Sequence, residues 1–385
     1  MIADQRKELI LRELRARGSV SVSDFAQRHD VARITVRRDL AALADEGLLA
    51  RTHGGAVPAP ASAGRDGQDR KGAQARRSRS AADVAARSGR GGSRGQPIVG
   101  MIVPSASYYY PLMIKGAEEA ASRMGARLVL GISNYSPVEE RRQVDRLVAN
   151  RVDGLLITPS EADFSEGRTL EVLAGAKVPV VVMERSLDEA PPLGCLEGVR
   201  TDHAAGAELA VAHLAGLGHG RVLLAVRSST PTSRWIAQGY ARAVARRGLE
   251  PGGSVIELPM IPAGELPDME PFDRLLDSVS GDSCAVIVHT DEDAAQLLRR
   301  AQERGVEVPE QLSIVAYDDE IAAFAPVPLT AVSPPKHELG LAAVTMCLER
   351  LAYGGVDSTE QSPLRRLKLV PALKIRESTP PRNVP

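Results

Sequence analysis

Aromatic residues and cysteines are scarce in this chain of 385 residues. Aromatic side chains make up 3% of it, with one Trp, four Phe and seven Tyr. The three cysteines, Cys195, Cys284 and Cys347, are far apart and odd in number. This spacing indicates neither a disulfide framework nor a metal site, and it favours reduced core residues in a cytosolic protein.

Long apolar runs are also missing from the sequence. No run of 18 apolar residues occurs, so no membrane-spanning helix is predicted. The N-terminus is charged and polar, and it lacks the apolar region of a secretory signal. We therefore expect a cytoplasmic protein with no membrane partner.

Catalytic and metal-binding motifs are absent as well. The sequence contains no Gly-x-Ser-x-Gly elbow, no phosphate-binding Gly-Lys-Ser/Thr loop and no His-Glu-x-x-His pair. The Cys, His and acidic residues show no metal-ligand spacing. We therefore expect the protein to have no enzymatic activity and to bind no cofactor and no metal ion.

Charge is distributed unevenly along the chain. Residues 1–96 contain 19 Lys and Arg against 11 Asp and Glu, whereas the remainder contains 29 against 38. A basic arm on an acidic body suits a DNA-binding module joined to a domain that does not bind DNA.

The segment 33–40 reads Arg-Ile-Thr-Val-Arg-Arg-Asp-Leu and predicts a helix with two distinct faces. Val36, Leu40 and Leu43 fall at positions i, i+4 and i+7, which places them on one buried face. The opposite face is basic and otherwise small, so the helix can enter a DNA major groove. There an Arg can bond guanine and a Thr can contact a phosphate or a thymine methyl group.

A basic segment at 47–56 follows this helix and is interpreted as a wing. The predicted DNA contacts lie on the helix and the wing: Arg33, Thr35, Arg37, Arg38, Arg51 and His53. The alternative is that Arg37 and Arg38 only solvate the outer face of a helix.

Residues 1–57 resemble the winged helix-turn-helix domain of the DeoR family of bacterial regulators. The matching words are Ser-Val-Ser-Asp-Phe-Ala, Thr-Val-Arg-Arg-Asp-Leu and Arg-Thr-His-Gly-Gly-Ala. The resemblance implies that residues 1–57 form a DNA-binding domain.

Residues 58–96 predict a flexible basic linker. They are rich in Ala, Gly, Ser and Arg, and they contain nine Lys and Arg against three acidic residues. Such a segment cannot bury enough apolar surface to offset its ordering entropy. It is either a simple tether or a segment in which Arg76, Arg77 and Arg79 touch phosphates.

From residue 97 onward, apolar strand-like runs alternate with helical patterns. Strands are predicted at 98–103, 127–132, 154–158, 178–184, 222–226, 254–258, 285–289 and 312–317. Helices are predicted at 112–124, 138–150, 203–217, 236–247, 272–279 and 292–304. This alternation predicts an α/β fold with parallel sheets covered by helices on both faces, and the length suffices for two sheets.

Ligands in open α/β sheets bind beyond the carboxyl ends of the strands. Three adjacent tyrosines, Tyr108, Tyr109 and Tyr110, follow the first strand, which is an unusual concentration in a chain with seven. Other polar residues follow later strands, among them Ser160, Arg185, Asp291 and Asp318. Aromatic faces together with carboxylates and Arg at several strand ends favour a polyhydroxylated ligand.

Residues 97–376 resemble the effector domain of the LacI/GalR regulators, which is itself similar to periplasmic sugar-binding proteins. The words that carry this likeness include Arg-Val-Asp-Gly-Leu-Leu-Ile (151–157), Thr-Asp-His-Ala-Ala-Gly (201–206) and Val-Pro-Glu-Gln-Leu-Ser-Ile-Val-Ala-Tyr-Asp-Asp (308–319). The resemblance implies two lobes joined by three chain crossings, a sugar-sized cleft between them and a homodimer. Residues 97–385 are therefore expected to form the effector and dimerisation domain.

Position by position, the resemblance places the cleft aromatic residue on Tyr109 and the hydroxyl-binding acids on Asp291 and Asp318. A family arginine falls on Ile236 here, and Arg234 is the nearby candidate to replace it. The predicted ligand-binding residues are Tyr109, Ser160, Arg185, Arg234, Asp291 and Asp318.

Other roles are open for some of these residues. Asp318 can cap a turn and Asp291 can cap the following helix. Tyr108 and Tyr110 can simply pack the surface of a lobe.

Together these features predict a sequence-specific DNA-binding transcriptional regulator, in the first place a repressor. A small carbohydrate-like ligand between the lobes would control its affinity for an operator with an inverted repeat. The alternatives are a ligand-dependent activator or a corepressor-dependent repressor and, from other classes, a sugar-binding transport module or a sugar-phosphate enzyme.

Overall fold

The computed structural model describes residues 95–161, 168–188, 196–251, 255–259, 268–279, 284–358 and 363–379, together with parts of 6–58. It divides the chain into two units, Met1–Ser80 and Ala81–Pro385. The predictions for Arg33, Arg37, His53, Cys195 and linker residues 59–94 lie outside the described residues.

The strands, in chain order, are β1 (Val20–Ser21), β2 (Leu49–Thr52), β3 (Gly55–Pro58), β4 (Ile98–Val103), β5 (Arg127–Ile132), β6 (Gly154–Ile157), β7 (Val180–Met183), β8 (Leu196–Thr201), β9 (Arg221–Val226), β10 (Glu250–Pro251), β11 (Ile256–Glu257), β12 (Cys284–His289), β13 (Leu312–Tyr317), β14 (Thr330–Ser333), β15 (Arg366–Leu369) and β16 (Ala372–Lys374). The helices of the second unit are α1 (Pro111–Arg123), α2 (Pro137–Ala149), α3 (Arg168–Ala174), α4 (His203–Gly216), α5 (Ser233–Arg247), α6 (Glu270–Asp277), α7 (Asp291–Glu303) and α8 (Lys336–Ala352), with short 3-10 helices at Ala322–Phe324 and Gly355–Ser358.

The first unit combines helical residues with a small antiparallel sheet. Its strands lie in the order β1-β3-β2, and β2 and β3 form the hairpin expected of a wing. Val36, Leu40 and Leu43 are buried in one apolar cluster. This confirms the buried face of the helix predicted from segment 33–40, which is called the recognition helix below.

The second unit contains two parallel sheets, and each is the centre of one lobe. The first lobe has a six-stranded sheet in the order β15-β8-β7-β6-β4-β5. The second lobe has a seven-stranded sheet in the order β10-β9-β12-β13-β14-β16, with β11 also paired to β9. Every pair is parallel except β14 with β16. The central strands are buried along almost their whole length, as strands covered on both faces must be.

The chain passes between the two lobes three times, as the LacI/GalR resemblance implied. It leaves the first lobe after β8, returns after β14 to place α8 against α1, and crosses again between β15 and β16. Three close crossings restrict the lobes to a hinge-like movement, because each connection fixes one point of the junction.

Local chemistry fixes where several helices begin. The Ser136 hydroxyl accepts the Glu139 N–H at 3.3 Å at the start of α2, and Pro137 occupies the first helical position. Asp202 caps α4 in the same way, and Thr290 and Asp293 form a capping box on α7. Several of these starts directly follow a strand or a crossing, so they set where the loops at the lobe junction end.

Tight helix packing in the second lobe generates a stability prediction. A Cβ on Gly239 of α5 would lie 2.1 Å from the Ala204 carbonyl oxygen of α4, which is backbone and cannot rotate away. Gly239→Ala should therefore lower the free energy of unfolding of this lobe by about 2 kcal/mol. Urea unfolding followed by the fluorescence of Trp235, the only tryptophan, measures it.

The matched control is Gly216→Ala at the end of α4, where an added Cβ meets nothing within 4 Å. This variant should unfold at the wild-type urea concentration or slightly above it. Equal midpoints for the two variants would contradict the packing argument.

Candidate functional site

The described part of the first unit presents a basic residue on the outer face of the recognition helix. Arg38 is exposed there and Thr35 is half-buried, while Asp39 is buried on the other side. The Asp39 carboxylate accepts bonds from the Arg6 guanidinium at 2.8 and 3.3 Å, which fixes the helix against the N-terminal segment. Arg51 lies in β2 opposite Ala56 of β3, within the wing.

The second unit contains a cavity of about 310 Å³ between the lobes. Its lining residues follow the carboxyl ends of β4, β5 and β7 in the first lobe and of β9, β12 and β13 in the second. They are Ser105, Ser107, Tyr108, Tyr109, Tyr110, Tyr135, Glu184, Arg185, His203, Arg227, Thr230, Pro231, Thr232, His289, Thr290, Glu292 and Asp318. The cavity therefore lies where the strand-end rule predicts a ligand site.

Backbone strain is concentrated at this cavity. Tyr108, Tyr135, Glu184 and Asp318 line it and have φ angles of 53°, 57°, 56° and 88°. Side chains other than glycine rarely adopt such angles, and they persist where the surrounding structure holds them for a function.

Glu184 is the most highly hydrogen-bonded carboxylate at the first-lobe wall. It accepts the Tyr109 hydroxyl at 2.7 Å, the Thr201 hydroxyl at 2.7 Å and the Thr201 N–H at 3.1 Å. The His203 ring nitrogen Nε2 lies 3.4 Å from it. Burial alone would raise the pKa of Glu184, but His203 and the two hydroxyls lower it to about 2. Glu184 is thus an ionised group that orders Tyr109.

Asp291 is not among the residues that line the cavity, so its role as a direct ligand contact stays a prediction. One carboxylate oxygen accepts the Tyr108 hydroxyl. The other accepts the N–H groups of the turn after β13, from Glu320 and Ile321 at 2.6 Å and from Ala322 at 3.1 Å. The carboxylate thus supports the site from behind.

Asp318 lines the cavity from the second lobe and is buried. Burial raises its pKa to about 7, Lys336 opposes this increase, and the nearby carboxylates Asp291, Glu320 and Glu184 add to it. The Lys336 ammonium binds the Asp318 carbonyl oxygen and the Glu320 carboxylate, and it lies 5.0 Å from the centre of the Tyr109 ring. Asp318 can therefore donate or accept a hydrogen bond near neutral pH.

Two arginines lie at the cavity, and each has a buried Nε that makes no hydrogen bond within the described ranges. Arg227 donates from Nη2 to Asp293 at 2.8 Å, and its Nε lies 2.6 Å from the same carboxylate. Arg185 donates from Nη1 to the Glu184 carbonyl oxygen at 2.8 Å, while its buried Nε has no partner within the described part of the chain. An unsatisfied buried donor on a cavity wall is a natural contact for a ligand oxygen.

Ser160 and Arg234 are not brought to the cavity. The Ser160 hydroxyl and N–H both donate to Glu140 at 2.8 Å, so this residue is used inside the first lobe. Arg234 is exposed on α5, with its guanidinium 4.6 Å from the centre of the Trp235 ring. Ile236 is buried in the core, so the expected arginine is replaced by packing.

Several cavity residues escaped the sequence prediction. Arg227 and Tyr135 both follow predicted strands closely, so the strand-end rule could have identified them. His289 ends a predicted strand, so the same rule could have identified it, whereas His203 follows no predicted strand. Burial lowers the pKa of His289 to about 3, so it is neutral. No group of His, Cys, Asp or Glu in the described ranges is arranged to hold a metal ion.

The described residues therefore define a DNA-binding head and a separate two-lobed domain with a ligand-sized cavity. Two sequence families match these parts: the DeoR-like helix-turn-helix domain at residues 6–59 and the periplasmic binding protein-like domain at residues 211–379. The second match begins in α4, so it covers most of the second lobe and the second and third chain crossings.

Similar proteins are bacterial transcription factors. The arabinose metabolism transcriptional repressor of Halalkalibacterium halodurans is 26% identical over 71% of this chain and 72% of its own length. The ribose operon repressor of Escherichia coli K12 is 28% identical over 73% of this chain and 81% of its own. A structure described as the transcriptional regulator CelR–cellobiose complex has a TM-score of 0.61 at 25% identity, and it covers 74% of this chain and 85% of that one.

The chain thus combines a DeoR-like helix-turn-helix domain with a periplasmic binding protein-like domain, and it is similar to transcriptional regulators of the LacI family. Among the described residues no helix has the length and apolar character needed to cross a membrane.

The raised pKa of Asp318 generates a prediction for the pH dependence of stability. Its pKa rises from 3.8 to about 7 on folding, so the folded state holds this proton more tightly than the unfolded state. The contribution of Asp318 to the free energy of unfolding should therefore decrease as pH rises from about 4 through about 7. Asp318→Asn should stabilise the protein more at about pH 8 than at about pH 5, as measured by urea unfolding.

The control is Asp145→Asn on the exposed face of α2. It should change stability equally at both pH values. If Asp318→Asn also changed stability equally at both pH values, the raised pKa of Asp318 would be contradicted.

Proposed function

We propose that the protein is a repressor whose affinity for operator DNA is controlled by a small carbohydrate-like ligand in the cavity between the lobes. The observation that carries the proposal is the position of the cavity, which is built from strand ends of both lobes. A ligand there contacts both lobes at once, so its binding depends on how they are arranged. The arabinose and ribose repressors among its relatives support a sugar effector and the repressive sign.

The proposed DNA interface consists of the recognition helix and the wing. Arg38 and Thr35 lie on the helix and Arg51 in the wing, and Arg33, Arg37 and His53 complete the set. Arginines would bond guanine edges and phosphates, and phosphate neutralisation would supply much of the non-specific affinity.

The proposed set of ligand contacts keeps three of the six residues predicted from the sequence. Tyr109, Arg185 and Asp318 line the cavity and remain the primary candidates, with Tyr108, Tyr110 and Arg227 from the wall beside them. Tyrosine rings would pack against C–H faces, while Asp318 and Arg185 would bond hydroxyl groups.

The proposed mechanism is a shift between lobe arrangements. The ligand favours the arrangement in which it contacts both walls, and it can change DNA affinity only through different affinities for the two arrangements. We place the DNA-binding domain at 1–57, a flexible linker at 58–96 and the effector and dimerisation domain at 97–385. A homodimer would present two heads to an inverted repeat.

The relatives are transcriptional regulators, which supports a non-catalytic role and a cytoplasmic location for this chain.

The sign of regulation separates the remaining alternatives. An operator selected by the full chain from random DNA should be released when D-ribose, L-arabinose or cellobiose is added. Tighter binding on addition would indicate a corepressor or an activator, and no effect across a wide carbohydrate panel would contradict carbohydrate control.

The exposed position of Arg38 generates a prediction for DNA binding. Arg38→Ala should weaken binding to the selected operator about tenfold or more. It should also lower the slope of log affinity against log salt concentration by about one, the effect of one lost phosphate contact. Fluorescence anisotropy at several salt concentrations measures both. The control is Arg123→Ala, at an exposed position of α1. It should leave the affinity and the salt dependence unchanged. Wild-type affinity in the Arg38 variant would remove this residue from the interface.

The two arginines near the cavity generate a prediction for ligand binding. The ligand for this test is the carbohydrate that releases the operator. Arg185→Ala should weaken its binding about tenfold or more, because a buried donor bonded to that ligand is lost. Arg234→Ala should leave its affinity unchanged, because Arg234 is exposed outside the cavity. Isothermal titration calorimetry measures both. The reverse order would restore Arg234 as the ligand contact and remove Arg185.

A further inference from the structure

Tyr108 and Asp291 form a hydrogen bond across the junction of the two lobes. Tyr108 follows β4 in the first lobe, and Asp291 is the first residue of α7 in the second. The Asp291 side chain is completely buried. The bond therefore exists only while the two lobes are close together.

The same carboxylate holds the turn that carries a cavity residue. Three consecutive N–H groups, from Glu320, Ile321 and Ala322, point at one Asp291 oxygen. This turn begins with Asp318 and Asp319, whose φ angles of 88° and 58° are strained. Because strained backbone needs outside support, Asp291 is well placed to keep Asp318 on the cavity wall.

Asp291 has little capacity left for a ligand. Its Oδ2 atom accepts three hydrogen bonds and its Oδ1 atom accepts one, so only Oδ1 has room for a further bond. Because the side chain is completely buried, a ligand hydroxyl could reach that atom only if the surrounding residues moved. The geometry thus favours an indirect role.

We propose that Asp291 is a positioning residue and that Tyr108 and Asp291 act as a clasp, which stabilises the arrangement with the lobes together and fixes the Asp318 turn. The inference rests on the proposed function, because a clasp between lobes matters only where lobe arrangement is the signal. Ligand affinity then depends on a contact that the ligand does not make, since a preformed closed cavity lowers the cost of binding.

Two other contacts cross the junction near the clasp. Glu184 of the first lobe lies 3.4 Å from His203 of α4 in the second. Lys336, at the second crossing, joins the Asp318 turn to the Tyr109 ring. Tyr108→Phe leaves both contacts in place, so it tests the clasp alone.

The test measures the distance between lobes in the full chain without DNA or carbohydrate. Spin labels on Glu118→Cys of α1 and Glu303→Cys of α7, both exposed, report it by pulsed electron resonance in a Cys195→Ser background. Wild type should give a short-distance component from the two labels of one chain. Tyr108→Phe should shift the distribution to longer distances and broaden it. An unchanged distribution would overturn the proposal.

Tyr135→Phe is the matched control, because it removes another tyrosine hydroxyl from the same cavity. Tyr135 lines the cavity from the first lobe, on the loop that follows β5. The control should retain the wild-type distribution. Opening by both variants alike would show a general loosening of the cavity and would also overturn the clasp.

Hydrogen exchange tests the second half of the proposal. Asp291→Asn replaces a charged acceptor by a neutral one of the same shape, so the amides of residues 320–322 should exchange about tenfold faster. Exchange at the wild-type rate would remove Asp291 as the support of the turn. Neither measurement requires a sugar or an operator, so failure of the clasp leaves the proposed function intact, and failure of carbohydrate control leaves the clasp measurable.

Discussion

The burial of carboxylates at the junction of two parallel sheets is the constraint on which this structure depends. Parallel strands end together, so both sheets direct their loops and their polar side chains to one place. A buried charge is tolerated only when it is paired and hydrogen-bonded. Glu184 meets this requirement through His203 and two hydroxyl groups, and Asp291 through Tyr108 and three N–H groups. These two carboxylates are thus bonded to other parts of the protein.

This arrangement separates two kinds of residue at the cavity. Arg185 and Asp318 face the cavity and can still bond a ligand. Glu184 and Asp291 are bonded mainly to their own neighbours, and they determine instead where Tyr109 and the Asp318 turn lie. Ligand recognition and lobe arrangement therefore share one network of hydrogen bonds, which is the physical requirement for coupling a binding event to a conformational change.

Much of the fold could be predicted because its signals are local. The strands β4, β5, β9, β12 and β13 were predicted to within a residue or so, since buried apolar runs are easy to recognise. Among the elements not predicted are the helices α3 and α8 and the strands β8, β14, β15 and β16. The helix α8 has no side-chain cap at its start and packs tightly on α1 through glycines, so its periodicity carries little signal. The strands β8, β15 and β16 were missed because the last two are short and largely exposed, and all three are defined by partners distant in sequence.

The sequence by itself determined the two-part organisation, the α/β class and the edge of the sheets at which a ligand site would form. These follow from composition, periodicity and strand ends, which are properties of short segments. The tertiary structure alone decided which polar residues reach the cavity. It placed Asp291 behind the wall, left Ser160 and Arg234 outside and brought in His203 and Arg227. The reason is that hydrogen-bond capacity and burial depend on neighbours from both lobes, and these meet only after three chain crossings have brought the lobes together.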